Sequence, residues 1–204
     1  MNEDEKRLLN EKAESGDYDA ARTLGNYYRQ LEQTKENDIL SHYYYNIAAE
    51  LGYAPAKFMV ALDYMGGDGV KADMTLAVKY MQEAADGGVA KAQYMYALFC
   101  SGDDNKSNGK AISYFEKAAK QGLAKAQVAL GDIYMFERKE IDNAIFWWVC
   151  AYMHGESASN DSNEAMNRLN ELVQSGVQGG RERIDQMIKK IKENKYIQYR
   201  QEPN

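Results

Sequence analysis

The stretch Ala84-Ala85-Asp86-Gly87-Gly88-Val89-Ala90-Lys91-Ala92-Gln93 returns, little altered, as Ala118-Ala119-Lys120-Gln121-Gly122-Leu123-Ala124-Lys125-Ala126-Gln127. In both, two alanines precede a glycine by three residues, and a new helical pattern opens on Ala-x-Ala-Gln. Ala48-Ala49-Glu50-Leu51-Gly52 and Ala151-Tyr152-Met153-His154-Gly155 close two further segments in the same way. The interval is about 34–36 residues, the period of helical-hairpin solenoids, in which each hairpin buries its apolar face only against its neighbours.

Aligned on Gly16, Gly52, Gly88 and Gly122, the units fall into columns. The first holds Ala20, Ala56, Ala92 and Ala126. Then come Leu24, Val60, Tyr96 and Leu130, followed by the small Gly25, Ala61, Ala97 and Gly131, and then by Tyr28, Tyr64, Cys100 and Tyr134. This spacing keeps one face of a first helix, helix A, apolar, with small residues where another helix must come close. Helix B carries a second pattern, Ser41/Tyr45/Ala48, Ala77/Met81/Ala84, Ala111/Phe115/Ala118 and Ala144/Trp148/Ala151, with Tyr44, Tyr80, Tyr114 and Trp147 as an added aromatic column. Glycine after each helix B suits a left-handed cap, and Asp73 and Asp142 are expected at helix-B starts.

Leu24-Gly25-x-x-Tyr28, Leu130-Gly131-x-x-Tyr134 and Ala111-x-x-x-Phe115 match tetratricopeptide positions. The longer link Gly66-Gly67-Asp68-Gly69-Val70-Lys71-Ala72-Asp73, with the Ala-Lys-Ala-Gln openings and the Ala-Ala-x-x-Gly endings, resembles the Sel-one-like repeat family over roughly residues 11–155. The resemblance implies an all-α fold: a right-handed α-solenoid of antiparallel helix pairs, about five hairpins in a tetratricopeptide-like superhelix, serving as an adaptor or scaffold. The expected organisation is four repeats within 1–155 (11–52, 53–88, 89–122 and 123–155). A degenerate fifth hairpin and capping helix follow over 156–204, with Ala165/Leu169/Val173 and Ile184/Ile188/Ile191 in the helix-A and helix-B places. An additional capping helix is expected before the first repeat, around Leu8, Leu9 and Ala13.

Two prolines and sixteen tyrosines among 204 residues favour helices over a loop-rich β architecture. The net charge of −6 is uneven: residues 181–200 hold seven Lys/Arg against three Asp/Glu. An acidic remainder argues against nucleic acid, whose binding needs a basic face. The start, Met1–Arg7, has no apolar core of a secretory signal and no apolar run is long enough to span a bilayer, so a soluble, cytoplasmic chain is expected. Cys100 and Cys150 fall in different repeats and read as buried thiols rather than a disulfide.

Catalytic and metal chemistry find little support. His42 and His154 lie far apart without ligands at metal spacing. The loop Asp103–Gly109 fails as a calcium site, with Asn108 and Tyr114 at the places that need glycine and glutamate. No nucleophile elbow or phosphate loop appears. Cys100 occupies the tyrosine column and reads as packing, not as a thiol nucleophile. No cofactor, no metal and no enzymatic activity are expected.

In tetratricopeptide geometry the concave wall is lined by helix A. Carried onto this chain, that wall comprises Arg22, Asn26 and Arg29; Phe58, Leu62 and Met65; Tyr94 and Leu98; Val128, Asp132 and Met135. Seam packing is the favoured reading for Phe58 and Tyr94, exposure for Leu62 and Leu98. Arg22 and Arg29, seven residues apart, would face the same way and pair a partner's carboxylate. The expected function is a non-catalytic adaptor that binds a peptide or helix of a partner protein, as a monomer with at most weak self-association. The alternative is an inhibitor or immunity protein that neutralises a toxin or enzyme. A hydrolase is a remote third.

Overall fold

The computed structural model describes residues 1–102, 109–154 and 160–193. The expected inter-helix loop over 103–108, the closing Gly155 and the chain beyond 193 lie outside the described residues. All regular structure among the described residues is helical. The chain divides into two compact units, Met1–Tyr96 and Ala97–Asn204.

The first unit holds α1 (Glu3–Glu14), α2 (Tyr18–Gln30), α3 (Lys35–Glu50), α4 (Ala54–Gly66), α5 (Met74–Asp86) and the opening of α6 (Ala90–Ser101). α2, α3, α4 and α5 pack in succession, and α1 lies against α2 and α3 as the expected additional helix. Local chemistry starts these helices. Asn2 and Glu5 form a capping box on α1, while Asp17, Thr34 and Asp73 cap α2, α3 and α5 through their side-chain oxygens. The second unit holds the end of α6, then α7 (Gly109–Lys120), α8 (Ala124–Asp132), a π-helical turn (Ile133–Glu137), α9 (Ile141–His154), α10 (Asn160–Gln174) and α11 (Gly180–Lys192). Here α7, α8, α9 and α10 pack in succession, and α11 turns back onto α9. Asp142, expected at a helix start, stands one residue inside α9 and pairs with Arg183 instead (2.6 Å).

The recurring motif has a concrete geometry. Gly52, Gly88 and Gly122 sit at φ of +89°, +88° and +85°. Their N–H groups donate to Ala49, Ala85 and Ala119, and the next residues donate to Ala48, Ala84 and Ala118. The alanine pair thus offers the last carbonyls of helix B to a left-handed cap that only glycine adopts without strain. The glutamine of Ala-Lys-Ala-Gln completes it: the side-chain amides of Gln93 and Gln127 donate to the Ala85 and Ala119 carbonyls at 3.1 and 3.0 Å. Alanines line the seams at almost no exposure, among them Ala48, Ala84, Ala118 and Ala151.

Candidate functional site

The expected binding wall was built from helix-A residues, and the structure shows how each is employed. In the first unit α2 presents Arg22, Asn26 and Arg29. Asn26 does not await a ligand: its Oδ1 accepts the Tyr45 hydroxyl at 2.8 Å. Gly25 beside it is where the Tyr45 ring presses in, for a Cβ there would stand 2.8 Å from Cδ1. The Arg22 guanidinium pairs with Asp19 one turn earlier (3.2 Å).

Arg29 is the more consequential case. Its Nε donates to Ser41 Oγ (3.2 Å), a terminal nitrogen pairs with Asp63, and the other lies 3.9 Å from Asp68. The guanidinium also stands over the Tyr45 ring at 5.6 Å. Asp63 is fully buried, and its second oxygen lies 3.0 Å from His42 Nδ1. Ser41 donates onward to the Gly25 carbonyl (3.2 Å), and His42 meets Tyr64 edge-on. Partial burial disfavours the Arg29 charge, yet the hydrogen bond and charge of Asp63 outweigh it and raise the Arg29 pKa above its ordinary value. Arg22 and Arg29, expected to receive a partner's carboxylate, each stand against a carboxylate of their own chain, Arg22 at the surface and Arg29 at the buried Asp63. Arg29 knits α2 and α3 to α4.

Sequence reasoning missed Asp63, Ser41 and His42 as a group. The signal was present in the columns. Asp63 shares its place with Tyr27, Phe99 and Ile133, and Ser41 shares its place with Ala77, Ala111 and Ala144. A carboxylate and a hydroxyl in otherwise apolar columns require partners when buried.

The remaining candidates in the first unit are apolar side chains. Met65 is exposed at 36%, and Phe58, Leu62 and Tyr94 are half-buried. In the second unit Leu98 is exposed at 46%, with Phe99 exposed beside it. Val128 is buried against Ala151 and Ala165, so it presents no surface and leaves the candidate set. Asp132 repeats the role of Asn26. Its Oδ1 accepts the Trp148 indole N–H (3.2 Å), and Arg168 of α10 grips both oxygens at 3.0 and 3.2 Å. Partial burial of Arg168 is outweighed by the Asp132 charge, which raises its pKa. Met135 is half-buried in the π-helical turn.

Two hollows that the sequence reading placed nowhere flank α11 in the second unit. One, of about 700 Å³, is floored by Val173 and Val177, and one of about 460 Å³ lies between Phe146 and Met187. Neither Cys100 nor Cys150 is in a disulfide. Burial pushes the Cys150 thiol up to about 12, which leaves it protonated and inert at neutral pH. Among the described residues no group of three or more His, Cys, Asp or Glu is placed to hold a metal ion, and no helix is long and apolar enough to cross a membrane.

Comparison with known proteins places these features in a family. The Sel1 repeat profile matches four times, at residues 19–53, 54–89, 90–123 and 124–156. The crystal structure of c5321, a protective antigen present in uropathogenic Escherichia coli strains and displaying an SLR fold, superposes with a TM-score of 0.72 at 28% identity. It covers 86% of this chain and 37% of its own. A Sel1 repeat protein from Oxalobacter formigenes gives a TM-score of 0.68 at 26% identity, over 82% of this chain and 48% of that one. The chain thus spans less than half the length of either. The immunity protein Pa5087 from Pseudomonas aeruginosa, at 15% identity and a TM-score of 0.40 over 90% of this chain and 82% of that one, is too distant to carry an argument. No curated protein matches the chain.

Proposed function

The chain belongs to the Sel1 repeat family, and from that premise we propose that it is a non-catalytic adaptor whose helix-A face holds a peptide or helix of a partner protein. Sel1 repeats generally serve as protein-interaction scaffolds. The observation that carries the reading is the contrast within one column. Asn26 and Asp132 are consumed by internal hydrogen bonds, whereas the same place in the middle repeats holds Leu62 and Leu98, which have apolar surface to offer. Phe58, Leu62 and Met65 recur at helical spacing along α4, and Leu98 and Phe99 stand exposed on α6. A few such anchors, each contributing about 1.5–3 kcal/mol when fully buried, suffice for specific recognition.

The test is affinity capture from the native lysate with the wild-type chain and with Leu62→Glu/Leu98→Glu. Circular dichroism confirms that the variant is folded. A partner held by the wild type and lost by the folded variant is the expected result. A partner held equally by both sinks the helix-A face as the site. The inhibitor reading has no observation of its own beyond what any interaction module would show.

A further inference from the structure

The apolar stripe of α4 does not end in neutral surroundings. Phe58, Leu62 and Met65 run about 10 Å along one face, and the chain then turns through Gly66 and Gly67 into Asp68. The Asp68 carboxylate folds back over this end, so that a Cβ on Gly66 would lie 3.1 Å from its Oδ2. Its side chain is 54% exposed, and its nearest cation is Arg29 at 3.9 Å. Arg29 is held more closely by the buried Asp63, so one guanidinium is divided between two carboxylates, and the exposed carboxylate has the weaker share. Gly69 lies against the Asp38 backbone, which fixes the loop that carries Asp68 against α3. Lys71 is the only cation in the stretch from Gly66 to Asp73, against Asp68 and Asp73.

The wider field has the same sign. Residues 1–96 contain sixteen Asp/Glu against ten Lys/Arg, which accounts for the whole net charge of −6, while residues 97–204 contain fifteen of each. The two arginines that would have made this face attractive to carboxylates are answered by Asp19, Asp63 and Asp68. Like charge opposite such a surface is rejected, and opposite charge is steered in.

Resting on the helix-A reading above, we infer that the α4 face of the first unit takes a cationic amphipathic segment of a partner protein. Its apolar side chains seat on Phe58, Leu62 and Met65, and a lysine or arginine meets Asp68. This reverses the partner charge that the arginines alone imply.

The probes are two labelled 14-residue amphipathic peptides of identical spacing, one of Leu and Lys, the other of Leu and Glu, titrated into the full chain by fluorescence anisotropy at low and high salt. The Leu/Lys peptide binds, more weakly at high salt, and the Leu/Glu peptide does not. Asp68→Asn weakens binding about threefold and flattens the salt dependence, and Leu62→Asn weakens it about tenfold. Glu11→Gln, on the exposed face of α1, leaves it unchanged. Loss with Leu62→Asn but not with Asp68→Asn, or equal binding of both peptides, overturns the charge inference and leaves the apolar face standing. Equal weakening by Glu11→Gln and Asp68→Asn overturns it as mere attraction to net charge. Binding of neither peptide also overturns it, and the lysate capture then decides the helix-A reading separately.

Discussion

At the scale of single residues, the repeat is held by a correspondence between two columns. Where helix B carries a large ring with a polar hydrogen, Tyr45 or Trp148, helix A offers glycine and an acceptor: Gly25 with Asn26, Gly131 with Asp132. Where helix B carries Met81 or Phe115, helix A offers alanine and leucine: Ala61 with Leu62, Ala97 with Leu98. Shape and hydrogen bonding therefore change together. A Cβ on Gly131 would overlap the buried Trp148 indole, so Gly131→Ala is expected to lower stability by about 1–3 kcal/mol. Trp148→Phe in the same chain should restore part of that loss by opening space. Urea denaturation of the three variants reads this directly, and an unchanged midpoint for Gly131→Ala would contradict the packing. Asp63 is a second test. Removing it takes the closest carboxylate from the half-buried Arg29 guanidinium and the partner from His42 Nδ1, so Asp63→Ala should cost about 3 kcal/mol or more. Adding Arg29→Met should recover some of that cost, because it removes the stranded charge. Strictly additive losses would show that the pair is not coupled.

At the scale of elements, most of the helix plan was readable because it is written in backbone requirements. Glycine at positive φ, alanine in a close seam and an Asx or Thr cap are local demands, and they recur in register. Ala-Lys-Ala-Gln was readable as a marker, although its work, a glutamine amide on the preceding helix's carbonyl, emerges only when two helices are placed together. The candidate wall was less legible for the same reason. Exposure of Leu98 follows from helix period, but the fate of Arg29 depends on a carboxylate 34 residues away in the next repeat. The π-helical turn after α8 and the hollows beside α11 have no periodic signature at all. One tie between elements can be tested alone. Arg168 joins α10 to Asp132 on α8, and both side chains are partly solvated, so the ion pair itself is worth only about 1 kcal/mol. Arg168→Met should speed hydrogen exchange in α10 and leave the α4 amides as they were. Equal acceleration in both helices would mean that the substitution acts on the whole fold rather than on this tie.

At the scale of the molecule, stability should fall on the alkaline side, and one thiol gives the fall a measurable part. Cys150 is buried in α9, and loss of hydration raises its pKa from 9.0 to about 12. Below pH 9 the thiol is protonated whether the chain is folded or not, and it contributes no slope. Between pH 9 and 12 the unfolded chain releases a proton that the folded chain retains. Unfolding is then favoured by up to 1.36 kcal/mol for each pH unit, or about 4 kcal/mol across the window. Burial also raises the pKa of Tyr44, Tyr45 and Tyr80, which adds to the alkaline loss with the same sign. Those tyrosines lie in the first unit and are untouched by a change at Cys150, so comparing wild type with Cys150→Ala isolates the thiol. The alanine variant should begin lower by a constant amount, for the lost sulfur contacts, and should then decline less steeply above pH 9. Denaturation midpoints at half-unit steps from pH 8 to 11 measure the two slopes. Converging curves place a protonated thiol in the core of the second unit. Parallel curves would mean that Cys150 reaches solvent in the native state, and that the packing of α9 is looser than its buried indole and alanines require.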